Sequence, residues 1–195
     1  MKAFSNKTKM AATMVASLAA LSGATLAHGE STQEVSAGGL QERVVRLGHV
    51  SGFWAANCPI QLSNATAWTQ SDDTESADLD REGFAVGVRE LLRSQSGDMG
   101  VSVALRFRSP AGATADLNRR ERHAGRDGYA TNFAVPGAPQ VRAYTVRTDG
   151  STTVHVAFTR GADEYAIAVE AADGTEIGGL QRALATAASR EARRA

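Results

Sequence analysis

Hydrophobic residues alternate with small or charged residues over four stretches of the chain, two in its middle and two near its end. A period of two is typical of β-strands that bury one face. Turn residues separate the members of each pair, Gly97 and Asp98 in the first pair and residues 160–163 in the second. The chain is therefore predicted to form antiparallel hairpins. The alternating apolar positions, all expected on one large face, are Phe84, Val86, Val88, Val101, Val103, Leu105, Phe107, Val154, Val156, Phe158, Tyr165, Ile167 and Val169.

Helices are predicted after the first hairpin and at the end of the chain. Ser109 followed by Pro110 is typical of a helix N-terminus, and this helix should run to about Arg122. The apolar spacing from Ile177 onward matches an amphipathic helix. Weaker patterns predict further strands at 44–50, 133–135 and 141–147, one or two short helices at 65–77, and irregular chain at 53–62 and 123–131.

The order of these elements predicts the fold class. Hairpins dominate, and strands do not alternate one by one with helices. We therefore expect an α+β fold with a single antiparallel sheet of about five to seven strands and two main helices packed on one face. One domain should span residues 40–190, followed by a C-terminal tail at 191–195.

Small residues occupy many of the opposite positions of the predicted strands, where a half-exposed sheet usually carries polar side chains. They leave a shallow floor that needs a covering layer. The cover is expected to come from the chain itself, for instance from the segment around Trp54 and Trp68, and a ligand or partner is the alternative. The positions on this floor are Ala85, Gly87, Arg89, Ser102, Ala104, Arg106, Arg108, His155, Ala157, Ala166, Ala168 and Glu170.

The N-terminal segment has the pattern of a bacterial secretory signal peptide. Three lysines precede an uncharged, alanine-rich stretch, and small residues end it before His28. We therefore predict a signal peptide at 1–27, a flexible leader at 28–39 and a secreted or extracytoplasmic protein of the cell envelope. Serine and threonine interrupt the apolar stretch, so cleavage is expected, and no transmembrane segment would remain after it.

Composition narrows the classes of partner. The whole chain has a formal net charge of zero, and all three of its lysines lie in the predicted signal peptide. The rest of the chain is slightly acidic and lacks a sustained basic stripe, so nucleic acid is not expected as a partner. The single cysteine, Cys58, cannot form an internal disulfide and is expected to be buried.

No residue pattern predicts catalytic, metal or cofactor chemistry. The four histidines lack the spacing of metal ligands, and the sequence contains no cysteine pair and no GxSxG or SxxK motif. We therefore expect no catalytic residue, no metal and no cofactor.

The candidate binding residues are four side chains on the small-residue face or in the arginine run that follows it. Arg106 and Arg108 lie at the end of a predicted strand, Arg120 lies in the densest basic run, and His155 is a histidine in the middle of a strand. A solvated helix face is the other interpretation of the arginine run. The partner would be an anionic cell-surface polymer, a lipid headgroup or an envelope protein.

These patterns favour a non-enzymatic binding or sensor-like module of the cell envelope. Two alternatives stay open: a small secreted hydrolase that uses His155 or Cys58, and a structural protein that self-associates through a sheet edge. The sequence leaves the ligand and the oligomeric state open.

Three segments resemble a family of small exported bacterial proteins of unknown function. They are residues 83–91 (GFAVGVREL), 102–113 (SVALRFRSPAGA) and 133–137 (FAVPG), and the likeness spans about residues 40–188. The order of elements is also similar to that of PsbP-like and PknH-type sensor domains, in which helices back an antiparallel sheet. The resemblance implies a fold and no catalytic residue.

Overall fold

The structure is a computed structural model that describes residues 39–70 and 72–194. The predicted signal peptide lies outside these residues. The helices are α1 (Leu40–Gly48), α2 (Ala65–Thr69), α3 (Asp73–Glu82), α4 (Pro110–Asp127) and α5 (Ile177–Ala192). The strands are β1 (Phe53–Ala55), β2 (Ile60–Leu62), β3 (Phe84–Ser94), β4 (Met99–Phe107), β5 (Tyr129–Asn132), β6 (Arg142–Thr148), β7 (Ser151–Arg160) and β8 (Asp163–Glu170).

The strands form one antiparallel sheet. Its order is β1-β3-β4-β8-β7-β6-β5, and β2 also pairs with β3, which makes eight strands in the described ranges. The predicted hairpins β3-β4 and β7-β8 are confirmed. The predicted antiparallel α+β class is confirmed, and the sheet is larger than the five to seven strands expected, because the edge stretches at 53–62 and 129–132 also pair.

Helices cover both faces of the sheet, so the prediction that they pack on one face is wrong. We call the side beneath α1 and α5 face A and the side beneath α2, α3 and α4 face B. The cause is the register between β4 and β8. Val103 lies opposite Ala166, and Ala104 lies opposite Tyr165, so the large residues of β4 share face B with the alanines of β8.

A bulge adds to this exchange of faces. Phe84 pairs with Phe107, but Val86 pairs with Arg106, so the register shifts by one residue around Ala85. Phe84 therefore packs on face B and Val86 on face A. Each face consequently receives enough apolar surface to hold a layer of helices.

The strand predicted at 44–50 is wrong, because this segment is the helix α1. Leu40, Val44 and Leu47 are four and three positions apart, which places them on one side of a helix. All three are fully buried on face A. The hydroxyl of Ser102 donates a hydrogen bond to the carbonyl oxygen of Val44 at 2.9 Å and ties α1 to β4. The short run of apolar residues fits both the period of a strand and that of a helix, and burial against the sheet favours the helix.

The helix at Ser109 is confirmed, and its start has the predicted geometry. The Ser109 hydroxyl accepts a hydrogen bond from the amide of Gly112 at 3.1 Å. The helix continues to Asp127 and does not end at Arg122, and a strand follows at 129–132 in place of the one predicted at 133–135. The C-terminal helix and the short helices around Trp68 are also confirmed.

Candidate ligand pocket

A cavity of about 130 Å³ lies between α4, the start of α3 and the part of face B formed by β6, β7 and β8. Its floor includes Ala157 and Ala166, two of the small residues singled out in the sequence. Elsewhere on face B the chain fills the space itself. Trp68 lies over Gly87, where an added Cβ would be 2.5 Å from the indole ring. The expected self-covering layer is therefore present at Gly87, and a pocket remains over the alanines.

The wall formed by α4 carries a buried acid between two arginines. Asp116 is fully buried, and its carboxylate accepts hydrogen bonds from Arg119 and from Arg120 Nε, the latter at 2.6 Å. The helix places these residues three and four positions apart, on one side. Burial alone would raise the pKa of Asp116, but the charges of Arg120 and Arg119 outweigh it and lower that pKa below its usual value. Asp116 is therefore ionised.

Both arginines have further acidic neighbours. The Arg119 Nε atom lies 3.1 Å from Glu82 Oε1, and Arg120 Nη1 lies 3.5 Å from Glu75 Oε1. Arg119 is only 7% exposed, so the interpretation of the arginine run as a solvated helix face is wrong for this residue and for Arg120. Arg122 and Arg126 of the same run are exposed. The run is thus divided between a buried network and the solvent.

Glu164 enters the same site from β8. It is fully buried, and among the described residues no N–H or O–H group donates a hydrogen bond to either of its carboxyl oxygens. Its nearest cation is Arg120, whose Nε atom lies 3.8 Å from Glu164 Oε1. Burial, followed by the negative charge of Asp116, raises the pKa of Glu164 well above its usual value. This shift favours the protonated form of Glu164, which interacts with the carboxylate of Asp116.

One nitrogen of Arg120, Nη2, is also buried without a hydrogen-bond partner among the described residues. A buried polar group that lacks a partner costs about 1–3 kcal/mol of folding free energy. The unpartnered atoms of Arg120 and Glu164 belong to residues that line one cavity. Groups of this kind are typical of sites that complete their hydrogen bonds with a bound molecule.

A stacked aromatic pair lines the pocket on the side of β6 and β7. Tyr144 and His155 are cross-strand neighbours, and their ring centroids lie 4.9 Å apart at an angle of 16°. Burial, and then the charge of Arg120, lowers the pKa of His155 to about 4. Burial raises the pKa of Tyr144 to about 12. Both rings are therefore neutral near pH 7 and offer a flat wall with polar edges.

The structure brings two of the four predicted binding residues together. Arg120 and His155 line the pocket. Arg106 lies on face A, where its Nε and Nη2 atoms donate to the carboxylate of Asp163 at 2.7 and 2.9 Å. Arg108 is exposed at the end of β4 and does not line the pocket.

Sequence reasoning missed Asp116, which is buried between Arg119 and Arg120, and two residues that line the pocket, Tyr144 and Glu164. A signal existed for the first, because an acid three and four positions before two arginines on one helix forms such pairs. Glu164 shares its strand parity with Ala166, which was assigned to the small-residue face. No local signal identified Tyr144.

Cys58 is exposed, so the prediction that it is buried is wrong. It lies between β1 and β2, the two short strands that pair with β3. The pocket lies over β6, β7 and β8. Cys58 and His155 therefore do not share a site.

No protein-family model and no curated protein matches the chain. Among solved structures, the chain is similar to the extracellular domain of PknH from Mycobacterium tuberculosis, with a TM-score of 0.50 and 11% sequence identity. The similarity covers 85% of this chain and 100% of that domain. The fold analogy with PknH-type domains is confirmed, and at this identity the likeness concerns the fold alone. In the described part of the chain, no helix has the length and hydropathy needed to span a membrane.

Proposed function

We propose that this chain is an extracytoplasmic, sensor-like binding module whose small-molecule ligand occupies the pocket between α4 and strands β6 to β8. The observation that carries the proposal is the pair of buried, unpartnered groups on Arg120 and Glu164 beside a cavity. The predicted signal peptide supports the location outside the cytoplasm. The likeness to the extracellular domain of PknH agrees with it as a likeness of fold.

The size of the cavity defines the size of the ligand. Its volume of about 130 Å³ is close to that of engineered apolar cavities, of roughly 150 Å³, that take up benzene. The alanine floor and the Tyr144–His155 wall suit a flat, partly apolar body. A ligand of about one six-membered ring therefore fits, and a polymer chain does not fit inside.

Binding explains the site better than hydrolysis does. The described residues that line the pocket include no serine and no cysteine. Asp116, the acid that is ionised, is held by two arginines and has no exposed surface. Of the two residues named for the alternative hydrolase, His155 lines the pocket and Cys58 does not, so the pocket does not bring them together.

An anionic surface partner is a separate proposal that rests on other residues. Arg106 and Arg120 already face acidic side chains. The exposed arginines Arg108, Arg122 and Arg126 are the ones that could contact a cell-surface polymer or lipid headgroups.

Filling the pocket tests the proposed function. The variant Ala157→Leu places a larger side chain on the pocket floor, and Ala55→Leu makes the same change at an exposed position of β1. We expect ring-sized fragments, screened by ligand-observed NMR, to bind the unaltered protein with a Kd of about 1 mM. Binding should persist in Ala55→Leu and be lost in Ala157→Leu. Equal binding to all three proteins, or binding to none, would contradict the proposal.

A further inference from the structure

The unpartnered atoms in the pocket differ in what they require. Arg120 Nη2 is a donor that lacks an acceptor, and neither carboxyl oxygen of Glu164 receives a hydrogen bond from the described residues. The two groups are neighbours, since Arg120 Nε lies 3.8 Å from Glu164 Oε1. One molecule that presents an acceptor beside a donor could therefore satisfy both.

The charges around the pocket already have partners within the protein. Asp116, Glu75 and Glu82 face the two arginines. An anionic ligand would have to compete with these acids for Arg120. A cationic ligand would leave Arg120 Nη2 without an acceptor and would lie against a positive charge. A neutral ligand avoids both costs.

Glu164 can accept a hydrogen bond without changing its protonation. When one carboxyl oxygen of Glu164 carries the proton, the other keeps lone pairs for an N–H group of a ligand. Arg120 and Glu164 can therefore both form a hydrogen bond with an uncharged molecule.

Resting on the proposed function, we propose that the ligand of this pocket is a small neutral amide with a ring-sized body. Its carbonyl oxygen accepts from Arg120 Nη2, and its N–H donates to the Glu164 carboxyl. The body lies on Ala157 and Ala166 beside the stacked rings of Tyr144 and His155.

Four probes of similar shape test this chemistry. Benzamide carries the neutral amide, benzoate the anion and benzamidinium the cation, and N,N-dimethylbenzamide lacks the N–H donor. By titration calorimetry and protein-observed NMR at pH 7, benzamide should bind at least tenfold more tightly than each of the other three. Benzoate, benzamidinium or the dimethyl amide binding as tightly as benzamide would overturn the inference.

Two variants of Glu164 locate the contact. Glu164→Gln keeps a carbonyl acceptor and should hold benzamide within about threefold, whereas Glu164→Met should lose at least tenfold. Equal binding to both variants would overturn the contact. Thermal unfolding checks that both variants fold, and if Glu164→Met does not fold, the comparison of benzamide with its dimethyl form in the unaltered protein decides.

The two proposals can fail separately. If other fragments bind in a way that Ala157→Leu abolishes while benzamide does not bind, the amide inference fails and the binding function stands. If no fragment responds to Ala157→Leu, the proposed function itself fails. Benzamide binding that survives Ala157→Leu would also overturn the amide inference.

Discussion

Helices cover both faces of the sheet, but different kinds of residues fill the two interfaces. Face A is covered by α1 and α5 through large aliphatic and aromatic residues such as Val156, Ile167 and Leu184, all at most 1% exposed. Face B carries alanines on β7 and β8. Its helix α4 adds buried charged side chains, and a cavity remains beneath it. An apolar layer needs only volume to close it, whereas a buried polar layer needs every hydrogen bond, so face B is where a ligand can matter.

The largest difference between the faces should appear when one acid of each is neutralised. Asp116→Asn removes a fully buried charge between two arginines and should cost about 4 kcal/mol of unfolding free energy. Asp163→Asn, which breaks the Arg106 pair on face A, should cost about 1 kcal/mol, because both side chains keep some contact with solvent. Urea unfolding at pH 7 measures both, and equal losses would remove the distinction.

A smaller difference is expected when one leucine of each face is shortened. Leu184→Ala on face A should cost about 3 kcal/mol, because a closed core cannot refill the space. Leu117→Ala beside the pocket should cost about 2 kcal/mol, because the new space joins an existing cavity that water can enter. The same unfolding assay applies. A larger loss for Leu117→Ala would indicate that face B is packed as tightly as face A.

The last prediction concerns Glu164 on face B and depends on pH. Its pKa is raised in the folded state, so its contribution is fully present below the unfolded pKa and is lost as pH rises toward the folded pKa. Glu164→Gln lacks this loss. We expect the stability of the variant, relative to that of the unaltered protein, to rise between pH 4 and pH 8. Thermal melts across this range would show it, and a constant difference would argue against a protonated Glu164.

Local signals in the sequence predicted the elements better than their arrangement. The Ser109–Pro110 start of α4 and the β3-β4 and β7-β8 hairpins depend on a few neighbouring residues, and the sequence identified them. The helix α1 was missed because its apolar residues fitted two periods until the sheet buried them. Patterns within one strand do not reveal which residues share a face with the next strand.

The candidate site shows the same limit. The sequence singled out His155, Arg120 and the alanine floor, and these do lie at one pocket. Arg106 belongs elsewhere, because its partner Asp163 lies opposite it on the neighbouring strand β8. The burial of Arg120 could not be predicted, since it depends on Glu164 and Glu75 from distant elements.

The close contact between Trp68 and Gly87 affects the pocket, which lies at the other side of face B. A methyl group at position 87 would push the indole, and α2 with it, away from β3. The helix α2 is linked to α3 by the hydroxyls of Thr66 and Ser76, which lie 3.1 Å apart, and α3 brings Glu75 to Arg120. Because Gly87 has no Cβ, Trp68 and α2 can pack against β3, and α3 can bring Glu75 to the pocket. The strand β3 itself does not line the pocket.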